Sequence, residues 1–328
     1  MDGSGGVLLV AELQENELTS TSEELVYAGR DLAMQMACVC DCLVIGGCCA
    51  DAAQKLSTMG LNTVYTVQDP ALGGFQVETY LSAVLALCEV IEPRVVLLCH
   101  TENGADLAAS LAFQVDSGLV TNCVAFHWED ADGQVHMTSS RYCARAHGEY
   151  VVEGSRIQIA TIAPMEFLHA ESVDGALAKI VELSFEPVFP VRTTVLERSH
   201  GTQCGVSLEK ASVVVSGGRG VGSAEGFAVL EDLAATLGGC VGASRPAVDK
   251  GWTAPERQVG LTGRMVSPEV YLMFGISGAT QHLAGCFASK TIIAVNNDPE
   301  APIFEKADYG VCADWHEVAS ELIEALKS

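Results

Sequence analysis

Short apolar runs alternate with amphipathic segments along most of the chain. In the first part, the apolar runs predict strands at 7–13, 42–47, 63–69 and 94–100. The segments between them predict helices at 21–36, where Thr21 or Ser22 is the expected N-cap, and at 51–60, 77–91 and 104–115. Strands that are apolar at every residue are typical of parallel sheets buried on both faces. The repeating order of strand and helix therefore predicts an α/β fold with helices on both sides of the sheet.

The pattern changes in the middle of the chain. From 120 to 165 the segments predict further strands, with a hairpin-type turn at 130–133. The segment 175–183 predicts a helix. The segment 185–210, which contains two prolines, predicts a strand followed by an interdomain linker. A change of this kind indicates that one domain ends near this point.

The alternation resumes after Ala211. It predicts strands at 212–218, 240–244, 269–277, 290–298 and 309–314, and helices at 223–239, 278–286 and 315–328. We therefore expect two α/β domains, each with a mostly parallel sheet flanked by helices, at 1–207 and 208–328. The C-terminal domain is expected to be doubly wound, with a flavodoxin-like or Rossmann-like order of strands.

Charge excludes some classes of partner. The chain has 328 residues with 18 basic and 42 acidic side chains, which gives a net charge of −24. Such a surface repels phosphate backbones and anionic membranes, so nucleic-acid binding and direct membrane insertion are not expected. Any bound anion has to be held locally, by backbone N–H groups and a few arginines. The apolar runs are too short to span a bilayer and no leader is evident, which favours the cytoplasm of a prokaryote; a processed organellar protein is the alternative.

The chain contains 13 cysteines, five of which cluster at Cys38, Cys40, Cys42, Cys48 and Cys49. Their spacing differs from the paired C-x-x-C pattern of zinc sites. Alternation of Cys40, Cys42 and Val44 predicts one buried face of a strand, on which free cysteines act as small apolar side chains. An iron–sulfur or zinc site is the alternative, and we expect no metal.

Three predicted strand ends in the C-terminal domain carry small or polar residues, at 215–223, 241–249 and 275–282. Ligands of open parallel sheets bind outside the carboxyl ends of the strands. Glycine lets the backbone approach a ligand closely, and N–H groups at a helix start attract phosphate. Ser277, Gly278, Ala279 and Thr280 therefore predict a phosphate cradle.

Taken singly, each polar residue near these strand ends also has a purely structural interpretation. Arg219 and Arg245 could be exposed, His282 and Gln281 could pack in the core, and Asn296 could hydrogen-bond a turn. Asp314 could be the N-cap of the last helix. Their convergence on one edge of a sheet favours a ligand site.

The segment from 215 to 314 closely resembles the C-terminal half of electron transfer flavoprotein α subunits. The resemblance rests on "GISGATQHLAG" at 275–285 and on "NNDPEAPIFEKADYG" at 296–310. The first 200 residues match more loosely, through element order and through "LVAE" and "SGLVTN". The resemblance implies one FAD in the C-terminal domain and a heterodimer in which the N-terminal domain packs on a β subunit. It further implies AMP or a second FAD in that β subunit.

The resemblance also implies a set of cofactor-binding residues and no catalytic ones. By position, these are Arg219, Ser244, Arg245, Val259, Gly260, Leu261, Thr262, Ser277, Gly278, Ala279, Thr280, Gln281, His282, Asn296, Asp314 and Trp315. His282 or Arg245 would stabilise negative charge around flavin N1 and the C2 carbonyl. Thr262 would place a hydroxyl near N5, and Asn296, Asp314 and Trp315 would address the ADP half.

Two departures from the family pattern affect these expectations. Leu261 stands where the family usually has Gln, and a leucine cannot hydrogen-bond the flavin ring. The segment "GADLAASLA" at 104–112 replaces an arginine-rich phrase of the family, so contacts made by those arginines are not expected here.

The resemblance implies an electron carrier that receives electrons from an acyl-CoA dehydrogenase or similar flavoprotein. It would pass them singly to an acceptor such as a quinone reductase or ferredoxin. An α subunit of an NADH-oxidising, electron-bifurcating complex is the alternative inside the family. A non-redox nucleotide-binding module and a stand-alone flavin reductase are the alternatives outside it.

Overall fold

The computed structural model describes residues 5–141, 146–173, 175, 177–188, 190–193, 195–196, 208 and 211–327. Its contacts divide the chain into two compact units, Met1–Glu197 and Arg198–Ser328. The sequence places the domain boundary a few residues later, between 207 and 208, and the residues from 197 to 207 lie outside the described part.

The first unit is built on a large mixed sheet. Its described strands are β1 (Val7–Ala11), β2 (Leu13–Gln14), β3 (Glu17–Leu18), β4 (Cys40–Gly46), β5 (Thr63–Gln68), β6 (Val95–Cys99), β7 (Leu119–Glu129), β8 (Gln134–Arg141), β9 (Ala146–Tyr150), β10 (Gln158–Ile162) and β11 (Lys179–Leu183). Its helices are α1 (Ser20–Gln35), α2 (Ala50–Ser57), α3 (Val77–Ile91) and α4 (Glu102–Gln114). Nine of these strands form the large sheet, in the order β11-β5-β4-β1-β6-β10-β7-β8-β9. The other two, β2 and β3, pair with each other.

This sheet is parallel from β11 to β7 and antiparallel across β7, β8 and β9. The turn predicted at 130–133 joins β7 to β8, and Gly133 there has a φ of 65°. Every residue of β1, β6 and β10 is buried, because helices cover both faces. The expected mostly parallel sheet with flanking helices is confirmed for this unit.

Alternation along β4 sends its side chains to two separate cores. Cys40, Cys42 and Val44 pack in the core on one face of the sheet, while Leu43 and Ile45 pack in the core on the other. The predicted buried face of cysteines is therefore confirmed. Burial raises the pKa of the Cys42 thiol to about 12, so it stays protonated and apolar.

Two local predictions in the first unit are wrong. Helix α1 begins earlier than expected, because the Thr19 side chain, rather than that of Thr21 or Ser22, accepts from the Ser22 backbone N–H. The described part of 175–183 contains strand β11 instead of a helix. Parallel pairing with β5, in which Ile180 lies opposite Val64, decides the conformation of this β-branched segment.

The second unit contains a smaller, fully parallel sheet. Its described elements are β12 (Val213–Gly217), α5 (Ala224–Thr236), β13 (Cys240–Ala243), α6 (Arg245–Asp249), β14 (Val270–Phe274), α7 (Thr280–Leu283), β15 (Thr291–Asn296), β16 (Tyr309–Cys312) and α8 (Trp315–Lys327). The strands pair in the order β13-β12-β14-β15-β16. Numbered within the unit, this is the 2-1-3-4-5 order of flavodoxin-like folds, so the doubly wound prediction is confirmed.

Two apolar layers cover the second sheet. On one face, Phe227, Leu230 and Leu233 of α5 pack with Ala319 of α8. On the other face, Tyr271 and Met273 of β14 pack with loop residues such as Val259, Cys286 and Ile303. Loops instead of long helices therefore cover much of the second face, and their irregular backbone lies close to the strand ends.

The helices of both units are of ordinary length. The longest described helix is α1, with 16 residues. A helix needs about 20 apolar residues to span a bilayer. Among the residues that the structure describes, none forms a helix long and apolar enough to do so.

Candidate functional site

The loops after three strands of the second sheet meet at its carboxyl-end rim. The chain runs from β12 to β13 on one side and then crosses to β14 on the other, so β12 and β14 flank the topological switch point. Gly220 donates its backbone N–H to the Gly275 carbonyl at 3.0 Å, which ties the two switch-point loops together. The backbone N–H of Ser244 donates to the Gly217 carbonyl at 2.9 Å, which attaches the loop after β13 to the same rim.

The glycines of this rim are required by close approach of backbone to backbone. A Cβ on Gly218 would lie 2.2 Å from the Gly275 carbonyl oxygen, and one on Gly278 would lie 2.5 Å from the Ile303 nitrogen. Gly275 adopts a φ of 61°, and a Cβ there would lie 2.8 Å from the Gly220 backbone. The loops can therefore interlock in this way only because they carry glycine at these positions.

The loop before α7 presents unpaired backbone donors. The N–H groups of Ser277, Gly278 and Ala279 bond to no acceptor within the described part of the chain. Helix α7 has only four residues, so its dipole is weak and the loop amides themselves are the donors available to an anion. Gln281, whose side chain is exposed, follows in the same turn.

The segment from Val259 to Thr262 runs alongside α7. The Leu261 backbone N–H donates to the Gln281 carbonyl at 2.7 Å, and Val259 donates to the Ala243 carbonyl at 2.9 Å. Gly260 has a φ of 140°, and a Cβ there would lie 2.7 Å from the Gln281 carbonyl oxygen. The segment therefore reaches from the end of β13 to α7.

Within this segment the two side chains expected at the flavin ring are both exposed. Leu261 is 59% exposed and makes no polar contact through its side chain. The Thr262 hydroxyl oxygen accepts from Gln258 Nε2 at 3.1 Å, which leaves the hydroxyl proton available for donation.

Two guanidinium groups lie at the start of short helical turns on this rim. Arg219 opens the turn Arg219–Val221 after β12, is exposed, and makes no ion pair with the described residues. Arg245 begins α6 directly after Ser244, and its side chain is 64% exposed with Asp249 at 3.5 Å. Exposed ion pairs of this kind are weak, so Arg245 can turn toward a bound anion at little cost.

His282 is almost fully buried. This agrees with the structural alternative for this residue, in which it packs in the core. Its Nε2 lies 3.1 Å from the hydroxyl of Tyr271, and its Nδ1 is buried without a hydrogen bond to any described residue. Burial lowers the pKa of His282 to about 4, although the nearby Val259 carbonyl opposes this shift. The imidazole is therefore neutral at physiological pH.

Three residues expected at the ADP half carry structural contacts. Asn296 donates its amide to the Ile276 carbonyl at 3.0 Å and accepts from the Asp298 backbone. Asp314 accepts from the His316 N–H at 2.8 Å, so it is the N-cap of α8. Trp315 packs against α5, with its ring 3.2 Å from the position of a Cβ on Gly226.

The first sheet has a switch point of its own, between β1 and β6, which was not predicted from the sequence. Thr101 donates its hydroxyl to Glu12 Oε1 at 2.7 Å and accepts from the Gly104 N–H at 2.9 Å. Burial raises the pKa of Glu12 to about 7, and the bond from Thr101 opposes this shift. The carboxyl group of Glu12 thus fills the position at the start of α4 where an external anion would bind.

The second rim fits a flavin dinucleotide in three respects. Its interlocked glycines expose loop amides for a pyrophosphate. Its two exposed arginines supply positive charge in a chain whose net charge is −24. The unpaired nitrogen of His282 is a buried polar atom that lacks a partner within the described residues. The described residues include no cluster of three potential metal ligands.

Two family models together match most of the chain. The electron transfer flavoprotein domain matches residues 7–188, and the electron transfer flavoprotein FAD-binding domain matches residues 207–287. The second range includes the loops after β12, β13 and β14. The match over residues 7–188 extends the family assignment to the N-terminal part, where the resemblance in the sequence was looser.

Individual relatives match over nearly their whole length. The electron transfer flavoprotein subunit alpha of Mycobacterium leprae is 38% identical, with 98% of each chain covered. The proteins of the same name from Bacillus subtilis and Thermoanaerobacterium thermosaccharolyticum are 36% and 34% identical, with 98% of this chain and 97% of each relative covered. A solved structure described as a putative thiamin diphosphate-dependent enzyme from Mycobacterium smegmatis aligns with 98% of this chain and 59% of its own, but 10% identity and a TM-score of 0.23 are too low to indicate a shared fold.

Family models cover both units, and relatives above 30% identity cover 98% of the chain. The family consists of flavin-containing electron-transport proteins that generally pair an α with a β subunit. The chain belongs to the family of electron transfer flavoprotein α subunits.

Proposed function

We propose that the chain binds one FAD at the rim of the second sheet, within a heterodimer with a β subunit. It carries electrons one at a time between a flavin dehydrogenase and a second redox protein. The observation that carries this proposal is the switch-point rim, where the glycine loops after β12 and β14 interlock. The same segment matches the FAD-binding domain of the family.

In this proposal the dinucleotide phosphates lie on the loop before α7. The unpaired amides of Ser277, Gly278 and Ala279 donate to phosphate oxygens, and Thr280 and Gln281 extend the same turn. The guanidinium groups of Arg219 or Arg245 neutralise the remaining charge. Both side chains are exposed and can move without breaking a buried contact.

The isoalloxazine lies along Val259, Gly260, Leu261 and Thr262. A bound flavin supplies the electron chemistry, and the protein sets the reduction potential and the access to it. The Thr262 hydroxyl is suited to donate near N5 because its oxygen already accepts from Gln258. Ser244, whose backbone N–H is held by the Gly217 carbonyl, and Arg245 would contact the ring from the end of β13.

The adenosine half lies toward β15 and β16, near Asn296, Asp314 and Trp315. Their amide and carboxylate groups already hold the backbone at 276, 298 and 316. We therefore propose that these residues shape this part of the rim and offer the ligand their remaining lone pairs and the indole surface. These residues would therefore contribute fewer hydrogen bonds to the ligand than side chains that make no contact within the protein.

The electron donor in this proposal is an acyl-CoA dehydrogenase or a similar flavoprotein, as in fatty acid β-oxidation, and the acceptor is a quinone reductase or ferredoxin. The alternative within the family is a subunit of an NADH-oxidising, electron-bifurcating complex. That alternative depends on a second FAD in the β subunit, in the place where a simple carrier holds AMP.

Co-purification of the chain with its β subunit, followed by quantification of released flavin and AMP, tests the proposal. One FAD and one AMP per heterodimer are expected for a simple carrier. Two FAD would establish the bifurcating alternative. A complex with AMP or ADP but no flavin would overturn the redox function and leave a nucleotide-binding module. Turnover of NADH by the chain without a β subunit would instead indicate a flavin reductase.

A further inference from the structure

A buried hydroxyl lies against the imidazole of His282. Tyr271 belongs to β14, is 0% exposed, and places its hydroxyl oxygen 3.1 Å from His282 Nε2. His282 is 6% exposed and sits in a helix of only four residues. So short a helix cannot by itself fix the rotation of a ring, so the contact with the sheet is what orients the imidazole.

The contact also decides which nitrogen of His282 carries the proton. Burial keeps both groups neutral, because it raises the pKa of Tyr271 and lowers that of His282. The Val259 carbonyl raises the pKa of the imidazole as a hydrogen-bond acceptor does, and because Nε2 faces the tyrosine hydroxyl, this carbonyl favours a proton on Nδ1. If Tyr271 donates to Nε2, its own proton is satisfied and the imidazole proton resides on Nδ1.

This arrangement places a buried N–H group on Nδ1. The Val259 carbonyl lies near the ring, but Nδ1 makes no hydrogen bond of full geometry to any described residue. A buried donor without a partner is costly, so a ligand that brings an acceptor to it is favoured. A flavin brings the C2 carbonyl and N1, and both become stronger acceptors when reduction places negative charge on them.

We infer that Tyr271 is a positioning residue for the flavin site, whose hydroxyl fixes the His282 ring with Nδ1 as the N–H donor toward the reduced flavin. This inference rests on the proposed function, since it requires FAD at the rim of the second sheet. Tyr271 acts only through His282 and does not touch the flavin itself.

Replacement of Tyr271 by Phe in the α/β complex removes the hydroxyl while keeping the ring in the core. The variant should retain FAD but bind the reduced form about tenfold more weakly relative to the oxidised form. For a one-electron couple this corresponds to a midpoint potential lowered by about 59 mV. Spectroelectrochemical titration of the bound flavin measures the change. Tyr309→Phe, at a 66% exposed tyrosine of the same unit, is the matched control and should leave the potential unchanged.

A double-mutant cycle separates positioning from general loosening of the core. In a His282→Leu background, Tyr271→Phe should cause no further change in potential, because the group through which it acts is gone. An equal change in both backgrounds, or no change in either, would overturn the inference. Wild-type complex that contains no flavin in this unit would instead overturn the proposed function as well.

Nitrogen-15 NMR of the histidines in the wild-type complex keeps the inference testable if the His282 variant does not fold. The His282 signal, assigned through its own Cβ, should show a proton on Nδ1 at neutral pH. Loss of that preference in Tyr271→Phe supports the inference. A wild-type ring protonated on Nε2 refutes it.

Discussion

Side chains on the second rim divide into those that hold other parts of the protein in place and those that remain exposed. Asn296 and Asp314 hold backbone groups, and His282 is held in turn by Tyr271. Arg219, Leu261 and Arg245 are exposed, so they can respond to a ligand without loss of a buried contact. Function-altering substitutions should therefore be sought at the exposed positions, and changes at the buried ones should also affect stability.

Leu261→Gln is expected to shift the flavin potential without abolishing FAD binding. Leu261 is 59% exposed beside the proposed ring position, and glutamine would add a hydrogen-bond donor there. A hydrogen bond to a charged acceptor is worth about 1.5–3 kcal/mol, which is about 60–130 mV on a one-electron couple. Redox titration of the variant measures the shift. Unchanged midpoints would show that this side chain does not contact the ring.

Glu12→Gln should alter how the stability of the first unit depends on pH. Glu12 has a pKa of about 7 in the folded chain against an ordinary 4.5, so the folded state holds its proton more tightly. The free energy of unfolding should consequently fall as the pH rises from about 4.5 to 7, by up to about 3 kcal/mol. The glutamine side chain of the variant does not titrate in this range, so this part of the decline should disappear.

Urea unfolding of the wild type and of Glu12→Gln at a series of pH values measures the effect. Glu17→Gln, a nearby substitution at an exposed carboxylate, is the control and should leave the profile unchanged. Parallel profiles for wild type and Glu12→Gln would show that Glu12 titrates normally.

Loops and short helices of the second unit, and not its long strands and helices, form the proposed FAD site. The rim exists because the loops after β12 and β14 interlock through glycine backbone. The packing is specific enough that a single methyl group should separate the loops. The element that carries the proposed site is thus a pair of loops fixed by a rigid parallel sheet.

Gly275→Ala should abolish FAD binding or weaken it strongly. Its φ is 61°, and the added Cβ would lie 2.8 Å from the Gly220 backbone. Gly238→Ala is the matched control, because Gly238 has a φ of 66° but nothing within 4 Å of the added Cβ. Both variants carry the same conformational strain of about 1 kcal/mol, and only the first carries the clash. Equal FAD content in the two purified variants would contradict the interlocked rim.

Most strands and long helices could be predicted from the sequence, because their apolar periodicity reflects burial directly. The interval predicted for α3, from 77 to 91, coincides with the observed Val77–Ile91. Strand β11 was missed because its pairing with β5 is a tertiary interaction between distant segments. Short α6 was missed because five residues carry too little periodicity.

The candidate site could be located from the sequence but not resolved in detail. The loops after three strand ends were expected to share one edge of the sheet and do meet there, because the carboxyl ends of parallel strands share one edge. The burial of His282 and its contact with Tyr271 could not be predicted, since they depend on how a single helical turn docks on β14. The Glu12 contact at the first switch point was not predicted either, because Thr101 lies 89 positions away in the sequence and only the folded sheet brings the two side chains together.

The two units share an open α/β architecture but differ at their switch points. In the first unit Glu12 and Thr101 occupy the start of α4. In the second unit the loop before α7 has unpaired amides and two exposed arginines nearby. Charge favours the same assignment, because a chain with a net charge of −24 has to concentrate its few cations where an anion binds.

Addition of FAD to flavin-depleted complex should therefore protect only the second rim from hydrogen exchange. Protection is expected in the loops after β12 and β14 and in the segment from Val259 to Thr262. Ligand at 100 times its dissociation constant adds about 2.7 kcal/mol of stability, which slows exchange measurably. FAD-dependent protection around Glu12 and Thr101 would contradict the difference between the two switch points.

The proposed function requires that the rim of the second sheet hold a flavin dinucleotide. An experimental structure of the α/β complex, prepared with FAD, tests it most directly. We expect phosphates on the loop from Ser277 to Thr280 and an isoalloxazine along Val259 to Thr262. A rim that is vacant in such a structure, or that holds a nucleotide without an isoalloxazine, would contradict it.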